Sequence, residues 1–339
     1  MVKVVHVFYS FGMGGAEMQA YKLCQASNGS HKIWILSNSY LSFIENQGLK
    51  KENFISVSLK HKNQSFELLK YIISYRNETV FVSWLYKADV LMGFSRLFLR
   101  FSWYISVRTH KTRKGVLSFF GKRIISKLSY LSKGVIYNSS IARDYHRGLN
   151  FSMQNDCIIY NGFPVDKVIR SNNLENKSIV FLGRMHEDKG IDLFVNFIID
   201  HRIDLFNKGY KVYIAGITHN EFYKVYPHLN DLQNLKVVGQ VDPYIFLQDK
   251  EFLILPSRRE SMPNVVIEGL LIGLKILASN VGDLMQVFPK EIMYINPYDT
   301  QDIWYKLNAY TIATSLLERD EWDISTSFNR FNQFLCVEY

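Results

Sequence analysis

A chain of 339 residues with 47% hydrophobic side chains is long for one domain and comfortable for two, and it excludes extended disorder. Its three cysteines, Cys24, Cys157 and Cys336, are far apart and lack metal-type spacing, which argues for a reducing compartment and against a disulfide framework. The net charge of +9 is unevenly divided: residues 1–170 hold 24 Lys/Arg against 9 Asp/Glu, or +15, and residues 171–339 hold 16 against 22, or −6.

The opening segment, MVKVVHVFYSFG, is too short and too soon interrupted for a signal peptide. No stretch approaches the roughly 20 apolar residues of a membrane-spanning helix. A cytoplasmic protein is the expectation. From there the chain alternates short β-branched runs with longer amphipathic ones. Strands are expected at VKVVHVFYS, KIWILSNS, NFISVSL, TVFVSWL, WYISVRT, GVIYNSS and CIIYNGF in the first half. The second half adds SIVFLGR, KVYIAGI, LKVVGQV, FLILPS, KILASNV and IMYINP. Near-continuous apolar strands separated by helices indicate buried parallel sheets, an α/β protein.

The loops that follow strands carry the candidate chemistry, because ligands of open α/β sheets bind at the carboxyl edge. The first is HVFYSFGMGGAEMQAYKL, where Gly12, Gly14 and Gly15 lead into a helix opening at Ala16–Glu17. Glycines there admit a ligand close to the backbone, beside free helix N–H groups. The G-x-G-G spacing differs from the G-x-G-x-x-G of dinucleotide-binding proteins.

Further on, no acidic residue occurs between Asp89 and Asp144. That interval interleaves Arg96, Arg100, Arg108, Lys122, Arg123 and Lys127 with Phe94, Phe98, Phe101, Trp103 and Tyr104. Such a region suits an anionic membrane surface, and no nucleic-acid module signature accompanies it. The polar stretch SNNLENKS (171–178) reads as a linker where the charge changes sign. The expected division is 1–167, 177–310 and a helical tail, 311–339, packing back on a domain.

In the second half, SIVFLGRMHEDKG places Arg184 directly after a strand and Lys189 at the start of the next helix. A guanidinium fork plus an ammonium suits a diphosphate. The stretch PSRRESMPNVVIEGL then sets Glu260 before a helix that Pro263 should open, with Glu268 inside it. Helix rise carries Glu268 about 7.5 Å beyond Pro263, so the two carboxylates should stand on the order of 10 Å or more apart. That disfavours an acid/base couple, and backbone N–H groups near Met262–Val265 should form an anion site between them.

Together GMGGAE, GRMHEDKG, ESMPNVVIE and IIYNGFPVD resemble the retaining group 1 (family 4) glycosyltransferases, in matching order across residues 5–285. The resemblance implies a GT-B fold: two doubly wound Rossmann-like domains facing across a cleft, with C-terminal helices packing back. It implies that Glu260 faces the donor sugar and Glu268 the ribose. Met262, Pro263, Asn264 and Val265 would present backbone to sugar and diphosphate. Arg184 and Lys189 would hold the leaving diphosphate, and Gly14, Gly15 and Glu17 would border the donor. His110, in SVRTH, resembles a histidine that approaches the donor sugar. The implied activity is transfer of a sugar, with retention, from a nucleotide-diphosphate donor (a UDP-sugar is favoured) to a lipid-linked glycan acceptor. Bacterial surface polysaccharide (O-antigen, capsule or exopolysaccharide) is the implied product, made on the inner face of the cytoplasmic membrane. No metal and no cofactor is implied, since the sequence holds no Asp-x-Asp. The rival readings are a nucleotide-sugar epimerase of the same fold, a catalytically silent binding subunit, and a Rossmann dehydrogenase.

Overall fold

In a computed structural model, residues 3–12, 14–37, 44, 48–55, 63–109, 116–312 and 317–337 are described. The chain divides into two units, Met1–Phe163 with Glu321–Tyr339, and Pro164–Asp320.

The first unit holds a parallel sheet of β1 (Val4–Phe8), β2 (His31–Ile35), β3 (Val80–Trp84), β4 (Ser102–Val107), β5 (Gly134–Tyr137) and β6 (Asp156–Ile158), in the order β2-β1-β3-β4-β5-β6. The β-branched and aromatic runs are buried on both faces, as crossover helices require. Those helices are α1 (Gly15–Ala26), α2 (Gln64–Tyr75), α3 (Tyr86–Phe98), α4 (Val116–Leu128) and α5 (Ser140–Gly148). One core, around Phe8, Leu23, Ile33 and Trp84, lies on one face of the sheet, and a second, around Trp34, Phe81, Met92 and Trp103, on the other. The strand expected at NFISVSL appears only as a bridge from Phe54 to Ile33, and residues 56–60 lie outside the described residues.

The second unit holds β7 (Glu175–Leu182), β8 (Lys211–Ala215), β9 (Leu235–Gly239), β10 (Lys250–Leu255), β11 (Lys275–Ser279) and β12 (Met293–Ile295), all parallel. Their order, β12-β11-β10-β7-β8-β9, is the doubly wound arrangement, with its topological switch point between β7 and β10. Its helices are α6 (Ile191–Asp200), α7 (Arg202–Asn207), α8 (His219–Val225), α9 (Pro243–Phe246), α10 (Asn264–Ile272), α11 (Leu284–Val287) and α12 (Thr300–Asn308). Two more, α13 (Arg319–Trp322) and α14 (Ile324–Leu335), end the described chain.

Two expected boundaries differ. The segment 171–178 is no linker: β7 begins at Glu175, its exposed first residues accounting for the polar sequence there, and Ser171 N–H already donates to the Gln248 carbonyl at 2.8 Å. The units part at Phe163, inside NGFPVD. The tail packs back on a domain as expected, but it joins the first unit from Glu321 rather than from 311. Phe163 N–H donates to Trp322 O and Ile324 N–H to Phe163 O, while Phe331 and Leu335 of α14 enter the first unit's core. Gly162 permits this, because a Cβ there would lie 2.7 Å from the Ile324 Cα.

Candidate functional site

The loops after β7 and β10 meet at the switch point of the second sheet. After β7, Glu187–Lys189 makes a single 3-10 turn that ends at Gly190, φ 68°. A Cβ on Gly190 would fall on the Pro256 carbonyl oxygen, so this glycine is required both by its backbone angle and by the strand end pressed against it. The loop after β10 is then stitched to that turn. Arg258 N–H donates to Asp188 O at 2.8 Å. The Arg258 guanidinium grips both Asp192 oxygens at 2.6 Å and donates to Glu187 O at 2.9 Å. The hydrogen-bonded Asp192 carboxylate holds the Arg258 pKa above its ordinary value, and Arg258 holds that of Asp192 below its own. Arg258 is therefore a fastener of the loop.

Lys189 and Glu260, expected to serve phosphate and sugar respectively, are brought together. Lys189 Nζ lies 2.6 Å from Glu260 Oε1, and the Ser257 hydroxyl donates to the same oxygen at 3.1 Å. Both contacts use one oxygen, and Glu260 Oε2 has no hydrogen-bond partner among the described residues. Arg184, by contrast, is exposed and makes no ion pair among the described residues. A free guanidinium thus stands on the same strand-to-helix loop as an ammonium held by a carboxylate.

Helix α10 starts one residue later than expected. Pro263 is the N-cap, with φ −76° and ψ 113°, and Asn264 is the first helical residue. No side chain caps this end, and it carries the fractional positive charge of a helix N-terminus. Met262 is buried, as is every helical residue from Val265 to Ile272. A Cβ on Gly269 would lie 2.8 Å from the Ile276 side chain and 3.1 Å from Leu253, so α10 lies directly on β10 and β11. This fixes Glu268, itself buried, four residues into the helix, where the Tyr244 hydroxyl approaches its Oε1 at 3.5 Å. Burial first, then the Glu268 charge, raises the Tyr244 pKa, so the phenol stays a donor.

The loop after β11 completes this edge and went unrecognised in the sequence. Gly282, φ 61°, leaves no room for a Cβ against Ser261 O, and Asp283 N–H donates to that carbonyl at 3.2 Å. Gly216, φ 83°, brings the loop after β8 equally close to Gly183 O. The signal for both was a glycine within three residues of a strand end, visible but common. Tyr244 had no comparable signal.

In the first unit, Gly14 is the N-cap of α1 and the Glu17 carboxylate folds back over it. The acid there complements the helix dipole, and an incoming anion would have to displace it. His110 lies outside the described residues. The expected basic, aromatic face divides. Phe101, Trp103 and Tyr104 belong to the core, because β4 is central in the sheet. Phe94, Leu97 and Phe98 on α3 are exposed, Phe98 by 86%.

Residues 176–309 match the family model for glycosyl transferases group 1. Over 301 residues the chain is 21% identical to a capsular polysaccharide biosynthesis glycosyltransferase, CapH of Staphylococcus aureus, covering 85% of this chain and 84% of that protein. Its fold is similar to that of Anabaena HepE in complex with UDP-glucose (TM-score 0.80, 14% identity, 99% of this chain and 100% of the other). It is also similar to the apo form of WaaB, a lipopolysaccharide outer core galactosyltransferase (TM-score 0.67, 13% identity, 99% of both chains). Two parallel, Rossmann-like units with these structural relatives constitute the GT-B fold.

Proposed function

We propose that this chain is a glycosyltransferase that moves a sugar, with retention, from a UDP-sugar to a lipid-linked glycan in capsule or related surface-polysaccharide assembly. The observation that carries the reading is the gathering at one switch point of Arg184, Lys189 and Glu260 on loops and of the uncapped helix α10 that bears Glu268. HepE with UDP-glucose bound and the capsular CapH support the donor and product classes.

In this reading the diphosphate lies at the start of α10, where Met262–Val265 present backbone, and Arg184 meets it. Glu260 Oε2 takes a sugar hydroxyl and Glu268 the ribose. Breaking the bond to the diphosphate gathers negative charge on its leaving oxygen. Arg184 and Lys189 stabilise that charge, a role typically contributing about 10²–10³-fold in rate. These cations are sufficient for the diphosphate, so we propose a reaction without metal, and turnover should withstand a chelator.

Thermal shift with a panel of nucleotide sugars tests the donor site. A UDP-sugar at about 100 times its Kd should stabilise the fold by about 2.7 kcal/mol, and Glu268→Ala should abolish most of that gain. An unchanged shift in Glu268→Ala would sink the ribose assignment. Release of free sugar without any acceptor would mark an epimerase instead.

The first unit supplies the acceptor's setting. Exposed Phe94, Leu97 and Phe98 lie in a sequence interval with cations such as Arg100, Arg123 and Lys127 and no acid. We assign this face to an anionic bilayer, the apolar side chains entering the interface and the cations meeting headgroups. Among the described residues no helix is long and apolar enough to cross a membrane. Co-sedimentation with phosphatidylglycerol vesicles should weaken about tenfold in Phe98→Ser, as loss of one aromatic anchor predicts. Equal binding by the variant, or wild-type binding to phosphatidylcholine alone, would remove the assignment.

A further inference from the structure

Two donors of different kinds hold Glu260. Lys189 Nζ lies 2.6 Å from Glu260 Oε1, and the Ser257 hydroxyl donates to the same oxygen at 3.1 Å. Lys189 is an ammonium with three donors on a flexible stem, and its side chain is 26% exposed. Ser257 has a single O–H and is 1% exposed. An incoming diphosphate can therefore draw on Lys189, whereas the Ser257 hydroxyl lies beneath the surface that a ligand touches.

The backbone is held on both sides of Ser257. On one side a Cβ on Gly190 would fall on the Pro256 carbonyl oxygen, so the end of β10 is pressed against the turn after β7. On the other, Arg258 N–H donates to Asp188 O and the Arg258 guanidinium grips Asp192. A buried hydroxyl needs an acceptor, and Glu260 Oε1 is the one that Ser257 donates to among the described residues. The serine has no capping duty, because α10 begins at Asn264 with no side-chain cap. Its neighbours explain where the residue stands, and Glu260 explains why it carries a hydroxyl.

The terminal torsion of a glutamate is broad and two-fold. Which carboxylate oxygen meets a ligand therefore depends on what holds the other. An ammonium on a flexible stem is a poor guide, the more so once a diphosphate shares its charge. A hydroxyl fixed in space and hidden from the ligand is a good one.

We propose that Ser257 is a positioning residue for the donor sugar: its hydroxyl keeps Glu260 Oε1 engaged while Lys189 is shared with the diphosphate, so that Oε2 stays presented to a sugar hydroxyl. The inference rests on the glycosyltransferase reading and adds to it a residue that touches neither sugar nor phosphate. Removing the hydroxyl should reduce the sugar's contribution to binding and leave that of the nucleotide intact.

Isothermal titration of the full chain with UDP, UDP-glucose, UDP-galactose and UDP-N-acetylglucosamine tests it. The quantity read is the ratio of the affinity for each UDP-sugar to that for UDP. Ser257→Ala should lower this ratio about tenfold for the preferred UDP-sugar, as loss of a hydrogen bond to a charged group predicts, with UDP affinity within about twofold of the wild type. Ser257→Cys keeps the size but donates weakly and should lose as much, while Ser257→Thr keeps the hydroxyl and should stay within about threefold. In a Glu260→Ala background, Ser257→Ala should change nothing further, because the serine acts through that carboxylate. An unchanged ratio in Ser257→Ala while a UDP-sugar still binds overturns the inference and spares the transferase reading. Equal losses for UDP and UDP-sugar overturn it as well, since they mark a loop that has lost its shape. So does a further fall in the Glu260→Ala background. A wild type that binds no UDP-sugar sinks the transferase reading and the inference with it.

Discussion

At the switch point of the second unit, opposite charges tie the loops together: Lys189 with Glu260, Arg258 with Asp192, Arg259 with Asp188. Where the backbone there must turn against a neighbour, the residue is glycine, as at Gly190, Gly216 and Gly282. The corresponding edge of the first unit has Leu85 at positive φ and, among the described residues, the Asp89 carboxyl without a cation and the Arg108 guanidinium without a carboxylate. The contrast separates two states of a sheet edge. A paired edge is complete before binding, and its ligand, on our reading a diphosphate, adds charge to a fixed frame. An unpaired edge carries unmet hydrogen-bonding groups that cost stability.

The sharpest way to break that comparison is through the two positive-φ positions. Gly190→Ala adds a Cβ onto a strand-end carbonyl at φ 68°, and we expect a loss of about 3 kcal/mol together with the UDP-sugar shift. Leu85→Gly relieves strain worth about 1–3 kcal/mol while adding about 1 kcal/mol of backbone entropy cost, so it should leave stability unchanged or raise it by up to about 2 kcal/mol. Urea denaturation of both variants measures these values. If Leu85→Gly costs more than about 2 kcal/mol, the leucine is a packing residue rather than a strained one.

The strands were legible because a short, continuous run of β-branched residues suits a buried parallel strand better than any helix or loop, and twelve of the thirteen expected segments contain a described strand. Their order was not, since apolar periodicity says nothing about which strand lies beside which. The second sheet's switch point between β7 and β10 came only from the register of Lys250 with Glu175 and Phe252 with Ile179. The segments bearing Arg184, Lys189, Glu260 and Glu268 could be read because each directly follows a strand or opens a helix. That Lys189 and Glu260 touch could not, because 71 residues separate them. Arg108 was counted with a basic surface, yet it lies over Trp84 with its hydrogen bonds turned inward. A formula of charges along a chain cannot separate a solvated cation from one enclosed by strands paired far away in sequence. The linker reading failed for a related reason: Asn176 and Lys177 are polar because the start of strand β7 is exposed, not because the chain is unstructured there.

The finest test of the contrast between the units is pH. In the first unit the Trp84 indole N–H donates to His6 Nδ1 at 3.1 Å, which leaves His6 Nε2 to donate to His31 Nδ1 and His31 Nε2 to donate to Asn332 Oδ1, each at 3.0 Å. This chain joins β1, β2 and β3 to α14 with both imidazoles neutral. Burial, and for His6 also the positive influence of His31 and Arg108, depresses both pKa values, that of His31 to about 3. The unfolded chain therefore binds more protons below about pH 6.5, and stability falls with pH there, by about 1.4 kcal/mol per unit for each histidine. Asp89 acts in the opposite direction. With its folded pKa raised to about 8 by burial, its contribution is complete below about 3.8 and is lost as pH rises through 8. The first unit should accordingly be most stable near pH 6.5, and Asp89→Leu should convert the decline above that pH into a plateau. In the second unit the opposing partial burial of Glu175 is outweighed by hydrogen bonds from Lys250, Lys211 and Tyr213, which bring it to about 2. Arg258 lowers Asp192. Those contributions are lost only as pH falls through the acid range, so the second unit should be level between pH 5 and 8. Four of the five tryptophans, Trp34, Trp84, Trp103 and Trp322, belong to the first unit, so their emission during denaturation at pH 5 to 8 follows it. A first unit as level as the second across that range would mean that its unpaired groups carry no strain to be relieved.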